Sequence, residues 1–162
     1  MEGMRIEEII DLYGDDILRL CLLYMGDRQL AEDAFQETFI KAWKYLPGFR
    51  GESSVKTWVS HIAVNTCKSM LRTPWLRMRK KSESVDALLN LPAPEAEDHH
   101  DLVQAVCALP DRYREVVVLH YHQDMKLREI ADVLHIPANT VSTRLRKARR
   151  LLGQALEGEG NA

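Results

Sequence analysis

Hydrophobic side chains recur at three- and four-residue steps through most of the chain, the spacing that is typical of amphipathic α-helices. The clearest stripe lies near the start and consists of Ile6, Ile9, Ile10, Tyr13, Ile17, Leu20, Cys21 and Tyr24. Gly26 is suited to end this first helix and Asp27 to cap the next one. Alternating strand patterns are scarce, and the sequence contains no Asn-Gly or Asp-Gly hairpin signal. The pattern therefore predicts an all-α protein.

The second predicted helix, from about Arg28 to Leu46, has two different faces. Its apolar face consists of Phe35, Phe39, Ala42 and Leu46. The opposite face is acidic and polar but also contains two large apolar side chains, and it consists of Asp33, Gln36, Glu37, Ile40 and Trp43. An acidic face with an exposed Ile40 and Trp43 indicates a docking surface for another protein. Alternatively, these two side chains pack under the first helix.

A loop, Pro47–Ser53, precedes a third predicted helix, which Ser53 or Ser54 can cap. The apolar stripe of this helix consists of Val55, Trp58, Val59, Ile62, Ala63 and Met70. Its far side is a polar ribbon, interrupted only by Val64, that consists of Thr57, His61, Asn65, Lys68 and Arg72. The helix should end at Thr73, because a residue that precedes proline disfavours helical geometry.

The helical period is lost between residues 74 and 98, where the chain is first basic and then acidic and proline-containing. This composition is typical of a linker. We therefore predict two small helical domains, at residues 1–74 and 100–157, joined by a flexible linker at residues 75–99. Residues 48–81 hold eight basic side chains and one acidic one, and residues 126–152 hold seven and two. Two basic segments indicate two contact sites for a polyanion, although such charges also form ordinary solvated surface.

The second domain begins with two short predicted helices. The first has one apolar stripe, which consists of Leu102, Ala105, Val106 and Leu109. Pro110 suits the first turn of the second helix. The side chains expected to face inward from that helix are Tyr113, Val116, Val117 and Tyr121.

Two further short helices carry the strongest functional signal. Leu127–Leu134 is amphipathic, His135-Ile136-Pro137 forms a tight connection, and the next helix has an apolar face of Val141, Leu145, Ala148 and Leu152. The other side of that last helix carries hydroxyls and cations, namely Ser142, Thr143, Arg146, Lys147 and Arg150. The pattern predicts a helix-turn-helix whose second helix can enter the major groove of DNA. The alternative is an αα-hairpin with a solvated basic face.

Two parts of the chain resemble the extracytoplasmic-function sigma factors of bacterial RNA polymerase. Residues 31–43, with the segments 49–53, 57–58 and 62–66, are similar to sigma region 2. Residues 109–116 and 127–152 are similar to sigma region 4. The resemblance spans about residues 8–73 and 100–155 and implies a minimal two-domain sigma factor, because the first and third regions of larger family members are absent.

The resemblance implies a role for each matching residue. The side chains matched to docking on the clamp helices of the polymerase β′ subunit are Asp33, Gln36, Glu37, Ile40 and Trp43. Those matched to recognition and melting of the −10 element are Phe49, Arg50, Ser53, His61, Asn65 and Lys68. Those matched to base readout at the −35 element are Ser142, Thr143, Arg146 and Lys147, with Arg144, Arg149 and Arg150 expected on phosphates. Further implied partners are the β flap and an anti-sigma factor.

Three positions depart from the family pattern. His135 and Asn139 stand where glycine is usual or frequent, so the turn needs a left-handed residue at His135 or an adjusted geometry. Ser142 replaces a common basic residue, which affects the expected −35 preference.

Other classes of protein find little support in the sequence. There is no phosphate-binding glycine loop or nucleophile motif, and no catalytic residue, cofactor or metal ligand is expected. A metal could be held at His99-His100, but a solvated acidic chain is the preferred interpretation; His120 and His122 face different directions on a helix. Three distant cysteines, no secretory signal and no membrane-spanning run predict a cytoplasmic protein. The remaining alternatives are a conventional dimeric helix-turn-helix regulator and a decoy that binds polymerase without reading DNA.

Overall fold

The computed structural model describes residues 3–73 and 100–160, and every regular element in these two ranges is a helix. The chain divides into two compact units, Met1–Ser82 and Glu83–Ala162. These findings confirm the predicted all-α class and the presence of two helical domains. The boundary between the units falls inside the predicted linker, residues 75–99, which lies outside the described residues.

The described part of the first unit, residues 3–73, contains three α-helices that all pack against one another. Helix α1 spans Ile6–Met25, α2 spans Arg28–Tyr45 and continues into a 3₁₀ turn at Leu46–Gly48, and α3 spans Val55–Leu71. Their shared core is apolar and includes Ile9, Ile17, Leu20, Tyr24, Met25, Ala34, Phe39, Val59 and Ala63. Burial of this common face fixes the outward direction of the polar faces of α2 and α3.

The connections in this unit follow the predicted capping chemistry. Gly26 adopts a left-handed conformation with φ 65° and donates its N–H to the carbonyl of Leu22. The Asp27 carboxylate accepts a hydrogen bond of 2.8 Å from the N–H of Leu30 and so caps α2. Ser54, rather than Ser53, caps α3, because its hydroxyl oxygen accepts the N–H of Thr57 at 3.1 Å.

Two details of the predicted faces were wrong. Ile10 was expected in the core but is 37% exposed, whereas Leu22 and Met25, outside the predicted stripe, are buried. Val64 was expected to interrupt the polar ribbon of α3 but is buried at 3% exposure, together with Cys67. The extra buried residues have one reason: α1 and α3 each contact two other helices, so their buried faces are wider than a single stripe.

The second unit is built around its last helix. Helix α4 spans His100–Ala108 and α5 spans Asp111–Val117; a π-helical turn follows at Val118–His122; α6 spans Leu127–Leu134 and α7 spans Ala138–Gly160. Helix α7 packs against α4, α5 and α6. The core of the unit includes Val116, Leu119, Ile130, Leu134, Val141, Leu145 and Ala148. Within the described ranges, no helix is long and apolar enough to cross a membrane.

The π-helical turn explains the main error in this unit. Tyr121 was expected to face inward but is 54% exposed, while Val118 and Leu119 are buried. A π turn accommodates one extra residue, so side chains within and after it, including Tyr121, no longer follow the 3.6-residue period. Leu102, also expected in the core, is 42% exposed on α4, and Pro110 lies immediately before α5 rather than in its first turn.

Candidate functional site

The outward face of α2 exposes large apolar side chains. Trp43 is 66% exposed and Ile40 58% exposed, which excludes the alternative that they pack under α1. Gln36 and Glu37 are also exposed, and Asp33 is half-buried. Because contiguous exposed apolar area in a soluble protein usually marks an interaction site, this face can desolvate against a partner.

The acidic side chains Asp33 and Glu37 on this face have few polar partners within the described residues. Glu37 forms no ion pair within the described part of the chain. Among the described residues, Asp33 accepts a single, long hydrogen bond of 3.5 Å from the Gln29 amide. Neighbouring Glu32 is paired with Arg28 at 3.2 Å. The α2 face therefore suits a partner surface that combines cations with an apolar ridge.

The loop between α2 and α3 forms a small aromatic cavity. The ring of Phe49 packs on that of Trp58, with 5.0 Å between centroids and 39° between planes. A cavity of about 300 Å³ is lined by Gly48, Phe49, Arg50, Glu52, Ser53 and Trp58. This volume is at the lower end of the range for small-molecule sites, roughly 300–1,000 Å³. An aromatic wall, a hydroxyl and an exposed cation suit a single unstacked base and its phosphate.

The exposed side of α3 begins beside this cavity. Trp58 lies on α3 and lines the cavity, and His61 and Asn65 follow at successive turns of the helix, both exposed. Lys68 is half-buried one turn further on, and its carbonyl accepts a hydrogen bond from Arg72 at 3.0 Å. The six predicted −10 residues thus form two groups, three at the cavity and three along α3.

The helix-turn-helix has the predicted bounds at its first helix and an unusual turn. His135 adopts φ 57° and ψ 44°, a left-handed conformation in which a side chain other than that of glycine is uncommon. The N–H of Ile136 donates to the carbonyl of Ala131 at 3.1 Å, which closes α6. The turn therefore keeps the geometry that glycine would give, with histidine in its place.

Helix α7 presents the predicted polar side of the motif. Thr143, Arg146, Lys147 and Arg150 are exposed, whereas Ser142 and Arg144 are half-buried. Arg146 and Arg150 form no hydrogen bond or ion pair with any other described residue. Both guanidinium groups are thus available to a ligand.

The sequence pattern did not predict the contacts that side chains of other elements make with α7. The Lys147 ammonium lies 5.5 Å from the centre of the Tyr113 ring, and the Arg112 guanidinium lies 4.6 Å from the same ring. The Arg112 hydrogen bond to the phenol lowers the pKa of Tyr113 from its ordinary value; Lys147 lowers it further, against the raising effect of burial. Arg149 donates its Nε–H to the Tyr121 hydroxyl at 2.6 Å. No spacing rule could have found the Lys147–Tyr113 and Arg149–Tyr121 pairs, since each joins elements distant in sequence.

Arg114 is buried, which is unexpected for a charged side chain. It is 2% exposed, donates to the carbonyl of Leu109 at 2.8 Å and forms an ion pair with Asp111. These contacts connect the start of α5 to the end of α4, the two helices against which α7 packs.

The described residues contain no group of three or more side chains suited to hold a metal. His120 Nδ1 contacts the Met125 carbonyl at 2.9 Å, and His122 Nδ1 contacts the Gln123 amide at 2.9 Å. The alternative of a metal site at His99-His100 falls on side chains that lie outside the described part of the chain. The three cysteines are free thiols.

Comparison with known proteins identifies both units. Residues 9–77 match the family model for sigma-70 region 2, and residues 99–152 match that for sigma-70 region 4. The chain is 31% identical to the ECF RNA polymerase sigma factor SigW of Bacillus subtilis, over 92% of this chain and 87% of that one. It is 32% identical to the RNA polymerase sigma-H factor of Pseudomonas aeruginosa, over 90% and 82% of the two chains.

A solved structure has the same fold. The sigma factor RpoE of Bartonella quintana, crystallised with the anti-sigma factor NepR, superimposes with a TM-score of 0.68 and 21% identity over 93% of this chain and 96% of that one. The order of the two matched regions and the 31% identity to SigW over most of both chains agree with the family suggested by the sequence. This chain belongs to the extracytoplasmic-function group of the sigma-70 family of RNA polymerase sigma factors.

Proposed function

We propose that this sigma factor docks on core RNA polymerase through the outward face of α2. The observation that carries the proposal is the exposure of Trp43 and Ile40, 66% and 58%, beside the acidic Glu37. Aromatic side chains on such a surface act as anchors when they are desolvated by a partner. The clamp helices of the β′ subunit are the proposed partner surface, and Asp33 and Gln36 complete the contact.

The loop and the exposed side of α3 are proposed to open the promoter at the −10 element. The cavity at Phe49, Arg50 and Ser53 would capture an unstacked base, while His61, Asn65 and Lys68 would follow the single-stranded backbone. Capture of a base outside the stack offsets the cost of unpairing it. Support comes from the aromatic wall of Phe49 and Trp58 and from the adjacent cation.

Helix α7 is proposed to read the −35 element as duplex. The exposed cation Arg146 and the hydroxyl of Thr143 are suited to base edges, and Ser142 lies at the border of that surface. Arg144 and Arg150 are suited to phosphates, which fix orientation without carrying sequence information. The second unit is also proposed to contact the β flap.

Residues 1–74 would thus dock and melt, residues 100–157 would read duplex DNA, and residues 75–99 would link them. We infer that the protein acts in the cytoplasm, has no catalytic residue or cofactor of its own, and leaves phosphodiester chemistry to the polymerase. An anti-sigma factor is a proposed regulator, because the similar RpoE of Bartonella quintana is held by one.

Capture of core RNA polymerase tests the docking proposal. Full-length protein with Trp43→Ala and Glu37→Ala should lose β′ binding, whereas wild type should retain it. Leu12→Ala serves as a matched control, since Leu12 is an exposed apolar side chain on α1 with 61% exposure. Equal capture by the double variant and the control would contradict the proposed face.

A further inference from the structure

Two cations of α7 are each held by a tyrosine from another element. The Lys147 ammonium lies 5.5 Å from the centre of the Tyr113 ring on α5. Arg149 donates its Nε–H to the Tyr121 hydroxyl at 2.6 Å, with its guanidinium 5.6 Å from the centre of that ring. Tyr121 belongs to the π-helical turn. Long side chains that would otherwise be free are therefore held against elements outside the helix-turn-helix.

The two held cations lie at opposite edges of the exposed side of α7. Residues two apart on an α-helix point about 160° apart around its axis. Thr143, Arg146 and Arg150 lie on the exposed arc between Lys147 and Arg149. When a recognition helix lies in the major groove, the middle of its DNA-facing side is opposite the base edges. The two borders of that side are each opposite one phosphate strand. The two held cations therefore occupy the positions that face the strands.

The contact made by Arg149 leaves its best donors available. A guanidinium has five N–H groups, and the bond to Tyr121 uses only the one on Nε. The four N–H groups of the terminal nitrogens remain, and their fork matches the oxygens of a phosphate. Tyr121 and Arg149 are both exposed, so the pair is accessible to DNA. Because the side chain is ordered beforehand, less freedom is lost on binding.

The contact at Tyr113 gathers two cations. Arg112 lies 4.6 Å from the centre of the ring that Lys147 also faces. Neither cation is paired with a carboxylate in the described ranges. Both act on the phenol, and their hydrogen bonds lower the pKa of Tyr113, that of Arg112 most. Two neighbouring cations without an acidic partner would be neutralised by a phosphate.

We propose that Tyr113 and Tyr121 are positioning residues that hold Lys147, together with Arg112, and Arg149 against the two phosphate strands of the −35 duplex. Base readout is then left to Thr143 and Arg146 on the arc between these two cations, while Arg150, one turn after Arg146, keeps its proposed phosphate contact. Lys147 becomes a phosphate contact rather than a base reader, and Arg112 an additional one. This inference rests on the proposed role of α7.

The test is equilibrium binding of promoter duplex by polymerase holoenzyme carrying the full-length protein, over a series of salt concentrations. Tyr121→Phe keeps the ring but removes the acceptor for Arg149, and it should weaken binding about 2- to 10-fold. The loss should be equal on promoters with the preferred and with substituted −35 bases. Arg149→Gln should reduce the slope of log K against log salt by about 0.9. Tyr45→Phe is the control, because Tyr45 is also 54% exposed.

A second comparison separates positioning from a structural role. In the Arg149→Gln background, Tyr121→Phe should cause no further loss, since its effect passes through Arg149. Lys147→Gln and Arg112→Gln should each weaken binding equally on all −35 sequences.

Three results would overturn the inference alone. The first is a Tyr121→Phe holoenzyme that binds promoter duplex as tightly as the Tyr45→Phe control, and the second is a further loss of affinity from Tyr121→Phe in the Arg149→Gln background. The third is a loss of affinity in Lys147→Gln that depends on the identity of one −35 base pair. A wild-type holoenzyme that ignores the −35 sequence would instead refute the proposed role of α7, and this inference with it.

Discussion

The two units expose different kinds of side chain. The outward face of α2 in the first unit presents Trp43 and Ile40 among acidic groups, whereas every exposed position of α7 from Thr143 to Arg150 is polar or cationic. Removal of apolar surface from water makes the binding of a protein partner favourable. Cations bind a polyanion favourably chiefly because its counter-ions are released. One unit is thus suited to a protein partner and to unstacked bases, the other to duplex DNA.

The difference extends to how the exposed side chains are held. Trp43 and Ile40 stand on the surface, whereas Lys147 and Arg149 are held by Tyr113 and Tyr121. A rigid helix in a groove gains from cations ordered in advance, while an apolar anchor gains its energy from burial in a partner.

The largest expected effect tests whether each unit folds on its own core. Leu20 in the first unit and Leu119 in the second are both fully buried. Leu20→Ala and Leu119→Ala should each lower the free energy of unfolding by about 2–5 kcal/mol, through lost burial and the cavity that remains. Urea unfolding followed by hydrogen exchange should place each loss in one unit only. Equal loss of protection in both units from either change would show that they fold together.

The next effect separates melting from duplex recognition. Phe49→Ala removes one wall of the aromatic cavity and should weaken base capture by about 1–3 kcal/mol, the usual contribution of base–aromatic stacking. Permanganate reactivity of thymines should show reduced opening at the −10 element. Binding to a fragment with only the −35 duplex should be unchanged. A parallel loss on that fragment would assign Phe49 to folding instead.

Much of this arrangement could be predicted because local chemistry decides it. The stop at Gly26, the cap at Asp27 and the need for a left-handed residue at His135 each depend on a few neighbouring residues, and the structure has all three. The exposure of Trp43 was one of two alternatives that periodicity left open. Only the packing of α1 on α2 decides between them.

The errors have a common physical origin in tertiary context. Tyr121 points outward because a π turn changes the helical register, and no residue pattern marked that turn. Val64 is buried because α3 contacts two helices. The contact between Tyr113 and Lys147 joins residues on different helices, so periodicity within one helix carries no signal of it.

A smaller effect should distinguish base contacts from phosphate contacts on α7. Arg146→Ala should weaken −35 readout by about 1–3 kcal/mol and relax the sequence preference at one position. Arg150→Ala, the matched change one turn later, should weaken binding evenly and reduce the salt slope by about 1. Competition binding with single-base variants of the promoter measures both. An unchanged promoter preference in Arg146→Ala would remove it from the readout.

The smallest effect concerns the phenol of Tyr113. Its pKa is lowered chiefly by the hydrogen bond from Arg112, so Arg112→Gln should raise it more than Lys147→Gln does. Because the folded-state pKa lies below the unfolded-state value, ionisation of Tyr113 stabilises the fold above the unfolded-state pKa. That contribution is lost as the pH falls through the folded-state pKa. Ultraviolet titration of tyrosinate, with Tyr113→Phe as the reference, should show the shift; titration at the ordinary value would contradict it.

Site-specific photo-crosslinking in the promoter-bound holoenzyme tests the division of labour most directly. A photoreactive residue is placed at Gln36 on α2 or at Thr143 on α7, both exposed positions. Gln36 should crosslink to the β′ subunit, and Thr143 should crosslink to duplex DNA at the −35 element. Crosslinking of Gln36 to DNA, or of Thr143 to polymerase alone, would contradict this division of labour.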